Sequence, residues 1–273
     1  MKRIWQAAGI VFVVVAAVVA VHVFALILTD GKTTEAAKTI NDARASVVQI
    51  AGGIGLVGGL LFTWRTYALS RTSQRAERFA KAVGQLGESS ESVRAGGIYA
   101  LAKLGQEDKA YWPLIEDLLS AHLRERAKPN KKRTVDLTAA IKVLGARPVA
   151  NPVRALDLRQ ICVTQANFSN GNFENGWFDG ASLYEADLTD SNFRGARMPK
   201  VTLTSAKLNG VDLRESILSE ADLRGADFYV AKLEDADIAG AYIFDAKNLT
   251  PEHLAATKGS PNSHPNGPNS KTD

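Results

Sequence analysis

Two apolar runs dominate the first quarter of the chain. Within the run Ile4–Leu28 only Gln6 and His22 are polar. At about 1.5 Å per residue, a helix of this length can cross the roughly 30 Å hydrocarbon core of a bilayer. A second apolar run, Ser46–Trp64, begins after a short polar segment. The pattern predicts a transmembrane α-helical hairpin over residues 1–64.

Basic residues at the edges of the two runs predict the orientation of the hairpin. Lys2 and Arg3 precede the first run, and the polar segment between the runs carries equal numbers of basic and acidic residues. The positive-inside rule therefore predicts that both termini are cytoplasmic. The basic residues that follow the second run are Arg65, Arg71, Arg75, Arg78 and Lys81.

Small residues recur every four positions in the second run, at Ala51, Gly55 and Gly59. Because small side chains let helix backbones approach closely, this face is predicted to pack against the first run or a second copy of the chain. His22 is the ionisable residue of the first run, and neither run offers it an acidic partner. We interpret it as a neutral histidine packed within the hairpin.

Residues 65–150 are predicted to form a small cytoplasmic helical domain. A helix continues the second run to about Gly84, and three further apolar stripes follow it. The basic segment 128–133 connects the last two helices. We interpret that segment as a solvated loop, although its charge also suits anionic lipid or nucleic acid. The three apolar stripes end at Gly105, Ala127 and Gly145.

A period of five residues replaces the helical pattern from Leu158 to Ile243. Every fifth residue is apolar, and two positions earlier the residue is usually Ala, Gly or Ser. Neither an α-helix nor a flat strand has this period, so the backbone must turn inward once per five residues and form stacked coils. The predicted solenoid core consists of Phe168, Phe173, Phe178, Leu183, Leu188, Phe193, Leu203, Leu208, Leu213, Leu223, Phe228 and Leu233.

Motifs such as Ala186-Asp187-Leu188 resemble those of the pentapeptide-repeat family, and the resemblance covers residues 156–248. It implies a right-handed quadrilateral β-helix with four repeats per coil, here over residues 151–250. The chain is similar to bacterial members that carry two N-terminal spans, helices and then repeats. That similarity implies a multi-pass protein of the bacterial inner (plasma) membrane.

The end of the repeats is also predicted from the sequence. Thr250-Pro251-Glu252 has the residues of a helix N-cap, a first-turn proline and an acidic first turn. A short capping helix is therefore expected over residues 251–257. Residues 258–273 are rich in Pro, Gly, Asn and Ser, which predicts a disordered tail.

The chain offers no recognisable catalytic set. Cys162 occupies an outward position of the repeats, and His122, His253 and His264 are far apart in the sequence. No metal-ligand spacing or phosphate loop is present. The sequence therefore predicts a protein that is not an enzyme, with no catalytic, cofactor-binding or metal-binding residues and no small-molecule substrate.

Charge separates the two main functional hypotheses, beside which a signalling role of the segment between the two runs stays open. The first is a membrane-anchored protein-interaction scaffold that binds the bilayer by its hairpin and an unidentified protein by its repeats, with self-association through the small residues as a further expectation. The alternative is a DNA mimic that acts on a topoisomerase such as gyrase, as some soluble family members do. Mimicry needs about one negative charge per 1.7 Å. Residues 151–250 carry 10 Lys/Arg and 15 Asp/Glu, too weak a surplus, and nucleic-acid binding is not expected either.

Overall fold

The computed structural model describes residues 34–129, 133–148 and 154–263. The first apolar run, with His22, and the last ten residues lie outside the described residues. Contacts divide the chain into two compact units, residues 1–74 and residues 75–273. The helices are α1 (Thr34–Leu86), α2 (Glu91–Glu107), α3 (Trp112–Arg126), α4 (Val135–Gly145) and α5 (Pro251–Ala255), with a 3-10 turn at Lys109–Tyr111.

Helix α1 contains the second apolar run and extends well beyond it. It has 53 residues. Within it, Val48–Tyr67 is the one described segment that is long and apolar enough to cross a membrane. A hairpin over residues 1–64 implies a loop in the polar segment between the two runs, but the helix already begins at Thr34, so that implication is wrong for residues 34–45. Ala51, Gly55 and Gly59 all lie on α1, and a Cβ atom at Gly55 or Gly59 would meet nothing within 4 Å.

The end of α1 packs with α2, α3 and α4 into a small helical core, as the apolar stripes predict. Phe79 of α1 lies against Tyr111, with ring centroids 5.4 Å apart. Ala82 is buried in the same core. The boundary predicted at residues 64–65 falls inside α1, because one helix contributes to both units. The largest buried side chains of this core are Ile98, Leu101, Ile115, Leu119, Leu123, Ile141 and Leu144.

Residues 154–263 form the predicted solenoid. Its coils are linked by isolated parallel β-bridges, such as Asp157–Trp177 and Trp177–Arg197, which join residues 20 positions apart. A 20-residue coil holds four five-residue repeats, so the expected four repeats per coil are confirmed. No side of a coil in this range forms a longer strand.

A left-handed residue at every fifth position makes the corners. Gly180 (φ +63°) and Glu185 (φ +54°) are examples. At the corner that contains Gly180, the Ala181 N–H donates to Phe178 O at 2.9 Å. This closes a turn of the kind that requires positive φ at its third residue. Each turn directs the next apolar side chain inward. The twelve predicted core residues are all at most 3% exposed.

Helices cover the first coil of the solenoid. The Cys162 N–H donates to Ala127 O, and the Asn172 N–H donates to Gly145 O, both at 2.8 Å. The two carbonyls end α3 and α4, where helices lack partners for their last C=O groups. A Cβ atom at Gly145 would approach Phe173 to 3.1 Å, so glycine permits this close contact. The helical core and the solenoid core form one hydrophobic cluster.

The solenoid continues past its predicted end. Helix α5 forms at Pro251–Ala255, within the range expected for the capping helix. After it, Lys258 and Asn262 pair with Asp237 and Tyr242. The prediction of a disordered tail from residue 258 is therefore wrong for residues 258–263. Gly259 has φ +78°, and a Cβ atom there would lie 2.7 Å from Ala239. Backbone pairing, rather than apolar burial, holds this segment.

Val230 is a strained residue, which leads to a test of the corner geometry. It has φ +49° and is 62% exposed. A left-handed conformation costs an ordinary L-residue about 1–2 kcal/mol, and a β-branched residue is least suited to it. Asn tolerates this region. We therefore expect Val230→Asn to raise the free energy of unfolding by about 1 kcal/mol, measured by urea denaturation. Val230→Ile is the control and should change nothing; an equal gain in both variants would contradict the strain.

Candidate interaction surface

The outward residues of the solenoid stack into four columns, because the bridge partners lie 20 residues apart. Each column is one side of the solenoid, and neighbouring members are one coil apart. The first side carries Asp157, Trp177, Arg197, Ile217 and Asp237; the second Cys162, Ser182, Thr202, Asp222 and Tyr242; the third Asn167, Asp187, Lys207, Asp227 and Lys247; and the fourth Asn172, Asn192, Asp212 and Lys232.

The Asp and Asn residues of these columns stabilise the adjacent corners. Asp187 Oδ1 accepts the N–H of Thr189 at 3.0 Å, and Asn167 Oδ1 accepts that of Ser169 at 2.8 Å. Such side-chain bonds to the backbone two residues on favour turns. This explains the Asp or Asn of the five-residue motif. These Asp and Asn side chains thus contribute to the fold.

Arginines neutralise several of the outward carboxylates. Arg214 Nε donates to Asp212 Oδ1 at 2.9 Å, and this hydrogen bond holds the pKa of Asp212 below its usual value. Arg197 pairs with Asp179 of the preceding coil at 2.9 Å. Ion pairs join neighbouring coils as well as neighbouring residues, so the surface is of mixed charge.

Aromatic side chains project from this surface at a few points. Arg159 lies over the ring of Trp177, 5.3 Å from its centroid, in a cation–π contact. Tyr229 is 60% exposed and lies beside the exposed Val230. Exposed aromatic side chains are the usual anchors of protein–protein interfaces. The remaining exposed aromatic residues of the solenoid include Tyr184 and Phe244.

The histidines and the cysteine of the described residues are dispersed. His122 is buried in the helical core, whereas His253 caps α5 through the Thr250 N–H. Cys162 is half-buried on the second side of the first coil. Within the described residues no group of three or more His, Cys, Asp or Glu could hold a metal ion. The structure therefore does not bring these side chains together.

A buried polar network joins three helices of the helical core, and the sequence did not indicate it. Arg94 Nε donates to Asp136 Oδ2 at 2.8 Å and Arg94 Nη2 to Oδ1 at 3.2 Å. His122 Nε2 lies 2.9 Å from Asp136 Oδ2, and Asp136 is 0% exposed. Burial opposes ionisation of Asp136, but its hydrogen bonds to Arg94, Thr134 and His122 hold its pKa well below the usual value. Closed to solvent, the network is structural.

Part of the solenoid matches a known family model. Residues 166–204 and 206–242 match the family model of pentapeptide repeats, in 8 copies. No curated protein matches the chain.

Several solved pentapeptide-repeat proteins are similar to part of the chain. Rfr23 from the cyanobacterium Cyanothece 51142 is 26% identical over 34% of this chain, with a TM-score of 0.29, and the match spans 63% of its own length. A protein from Nostoc Pcc 7120 is 29% identical over 38% of this chain and 84% of its own, with a TM-score of 0.34. A protein from the Arabidopsis thaliana thylakoid lumen is 21% identical over 41% of this chain and 79% of its own length, with a TM-score of 0.37.

The buried network predicts that a substitution of Asp136 that preserves its shape strongly lowers the free energy of unfolding. Asp136→Asn removes the charge that compensates Arg94 while preserving the shape of the side chain. Breaking one partner of a buried ion pair costs about 3–5 kcal/mol of unfolding free energy. Asp117→Asn is the control, because Asp117 pairs with Arg154 at the surface, where such pairs contribute less than about 1 kcal/mol. Similar costs in both variants, measured by urea denaturation, would show that the network contributes little.

His122 predicts a pH dependence of stability. Burial lowers its pKa, although the hydrogen bond to Asp136 opposes this. The folded state therefore binds a proton less readily than the unfolded state, and stability falls as the pH decreases below the ordinary histidine value of about 6.5. The slope contributed by one such group is at most about 1.4 kcal/mol per pH unit. Between pH 7 and pH 5 we expect His122→Gln to lose stability less steeply than the native chain. If stability falls equally steeply with pH in both proteins, His122 is not the origin of the pH dependence.

Proposed function

We propose that the chain is a membrane-anchored, non-catalytic scaffold, because residues 166–204 and 206–242 match the pentapeptide-repeat model. Its solenoid would bind a protein partner through the outward side chains, and its apolar helix would hold it at a bilayer. A stiff array of stacked coils presents a fixed, extended surface, which suits binding.

Helix α1 carries the proposal. Its segment Val48–Tyr67 exposes large apolar side chains, including Leu56 (72%) and Phe62 (74%). Such surface is unfavourable in water, at about 25 cal/mol per Å², and is suited to lipid. The same helix ends in the helical core that covers the first coil, where Ala82 is buried. The proposed membrane segment and Ala82 thus lie on the same helix.

The proposed topology has two spans in a bacterial inner membrane. The run 4–28 would be the first span, α1 would supply the second, and both termini would be cytoplasmic. The basic residues on the two flanks support this orientation. Residues 34–47 of α1 would then lie outside the membrane on the opposite side from the solenoid.

The charge pattern favours a protein partner over DNA mimicry. Within residues 154–263, eight carboxylates lie within 4.0 Å of a Lys or Arg nitrogen, which interrupts any continuous row of negative charge. A duplex, by contrast, carries unbroken negative charge along its axis. The surface therefore supports specific contacts of mixed charge, anchored by the exposed aromatic side chains.

Cysteine labelling tests the topology. With Cys162→Ser as the background, Lys38→Cys should react with a membrane-impermeant maleimide in intact spheroplasts. Ser89→Cys should react only after the membrane is opened, because residues beyond α1 would be cytoplasmic. Both positions are exposed and belong to described segments. Labelling of Ser89→Cys in intact spheroplasts would contradict the proposed orientation.

Affinity capture tests the binding surface. We expect the full chain, crosslinked in native membranes, to capture a defined protein, and the triple variant Trp177→Ala, Tyr184→Ala, Tyr229→Ala to capture at least tenfold less. The matched control is Tyr99→Ala with Leu114→Ala, which removes exposed apolar side chains from helices α2 and α3 instead. Equal losses in the control would locate the binding outside the solenoid. Gyrase subunits in the capture would favour DNA mimicry.

A further inference from the structure

The helices cover the edge of the first coil on some sides only, as far as the described residues show. In later coils the outward residue pairs with the coil before it: the Trp177 N–H donates to Leu156 O, and Trp177 O accepts the Leu158 N–H, both at 2.8 Å. In the first coil the equivalent residues have no preceding coil. Their N–H and C=O groups therefore form an open sheet edge directed towards the helices.

Three of the four sides of this edge have partners. On the first side, Arg124 Nη1 donates to Asp157 O at 2.5 Å. On the second and fourth sides the N–H groups of Cys162 and Asn172 reach helix carbonyls, as described above. On the fourth side Arg147 adds bonds from Nε to Asn172 O at 3.4 Å and from Nη2 to Glu174 O at 3.2 Å.

The third side differs. Neither the N–H nor the C=O of Asn167 has a hydrogen-bond partner among the residues that the structure describes. The bonds that hold this side to the second coil come instead from its neighbours, with the Asp187 N–H donating to Ala166 O at 2.9 Å and the Phe168 N–H to Asp187 O at 2.7 Å. Asn167 is exposed, and among the described residues its backbone N–H is a free donor and its backbone C=O a free acceptor.

A groove of about 340 Å³ lies beside this edge, between α4 and the third side. Ile141 and Phe168 form an apolar floor, while Lys142 and Asn170 are exposed at the rim. Lys142 is the one charged residue of the lining. Within the described residues Lys142 belongs to none of the ion pairs, so the lining of the groove carries one positive charge.

We propose that this edge and groove bind an extended acidic peptide segment of a partner protein by β-strand addition. The peptide backbone pairs with the free N–H and C=O of Asn167, an apolar side chain enters the groove, and an Asp or Glu of the peptide pairs with Lys142. A free donor beside a free acceptor on an edge matches a peptide backbone, and the lone lysine selects for negative charge. The inference rests on the proposed scaffold function and adds a second surface to it.

The probe is a display library of seven-residue peptides, selected against the full chain in lipid nanodiscs. We expect enrichment of peptides with an acidic residue next to β-branched residues. A fluorescent copy of one enriched peptide is then titrated against two variants of one residue. Asn167→Pro removes the free N–H and should weaken binding at least tenfold. Asn167→Ala keeps the N–H and loses the same side-chain bond to Ser169, so its affinity should stay within threefold of the native chain.

The charge is tested independently of the backbone. Lys142→Glu should weaken binding at least tenfold, whereas Lys103→Glu, at an exposed position of α2, should leave it unchanged. This pair decides the outcome if Asn167→Pro fails to fold. Equal binding to the native chain and Lys142→Glu, native-like binding by a folded Asn167→Pro, or no enriched peptide would each overturn the proposal.

The two proposals fail separately. Native-like peptide binding by the triple aromatic variant is expected, because none of its three residues lines the groove and Trp177 lies on a different side from Asn167. Loss of the peptide site, with capture still dependent on the aromatic residues, would overturn this inference and leave the proposed function intact. Failure of capture with an intact peptide site would overturn the proposed function and leave this inference intact.

Discussion

Stacked coils leave unpaired backbone groups at both ends, and much of the remaining structure supplies hydrogen-bond partners for these groups. Each inner coil satisfies its outward N–H and C=O groups through its two neighbours. The first and last coils have only one neighbour. Buried polar groups without partners are costly, so the ends need other donors and acceptors. The C-terminal carbonyls of α3 and α4 provide acceptors at one end, and Lys258 and Asn262 extend the ladder at the other.

Closing the first coil also explains the polar groups buried where the helices meet it. Arg147 is 5% exposed, yet it donates to three backbone carbonyls, of Arg154, Asn172 and Glu174, and lies 3.7 Å from Glu116. A guanidinium has enough donors to satisfy several acceptors at once. Burial lowers the pKa of Arg147 and raises that of Glu116, so each is buried at a cost. The hydrogen bonds to the open edge offset that cost.

The sequence predicted the repeating features and the capping helix, but it missed several contacts that occur once. Eighteen in-phase apolar positions determine the period, the inward face and the core, because each repeat supports the same interpretation. The contact of Arg94 with Asp136 joins residues 42 positions apart on different helices, and no periodicity marks it. The pairing of Lys258 depends on backbone groups, which every sequence has. The open edge at Asn167 was equally hidden, because it depends on where α3 and α4 end.

These constraints limit what the solenoid surface can do. An outward Asp or Asn that accepts a backbone N–H two residues on is already committed to its corner. An arginine on the same carboxylate reduces its basicity further, as the lowered pKa of Asp212 shows. Proton transfer needs a carboxylate whose pKa lies near the working pH, and these residues are displaced from it. Among the described residues, exposed aromatic side chains such as Tyr229 and the backbone groups of Asn167 have no such role in a corner, and both are suited to binding.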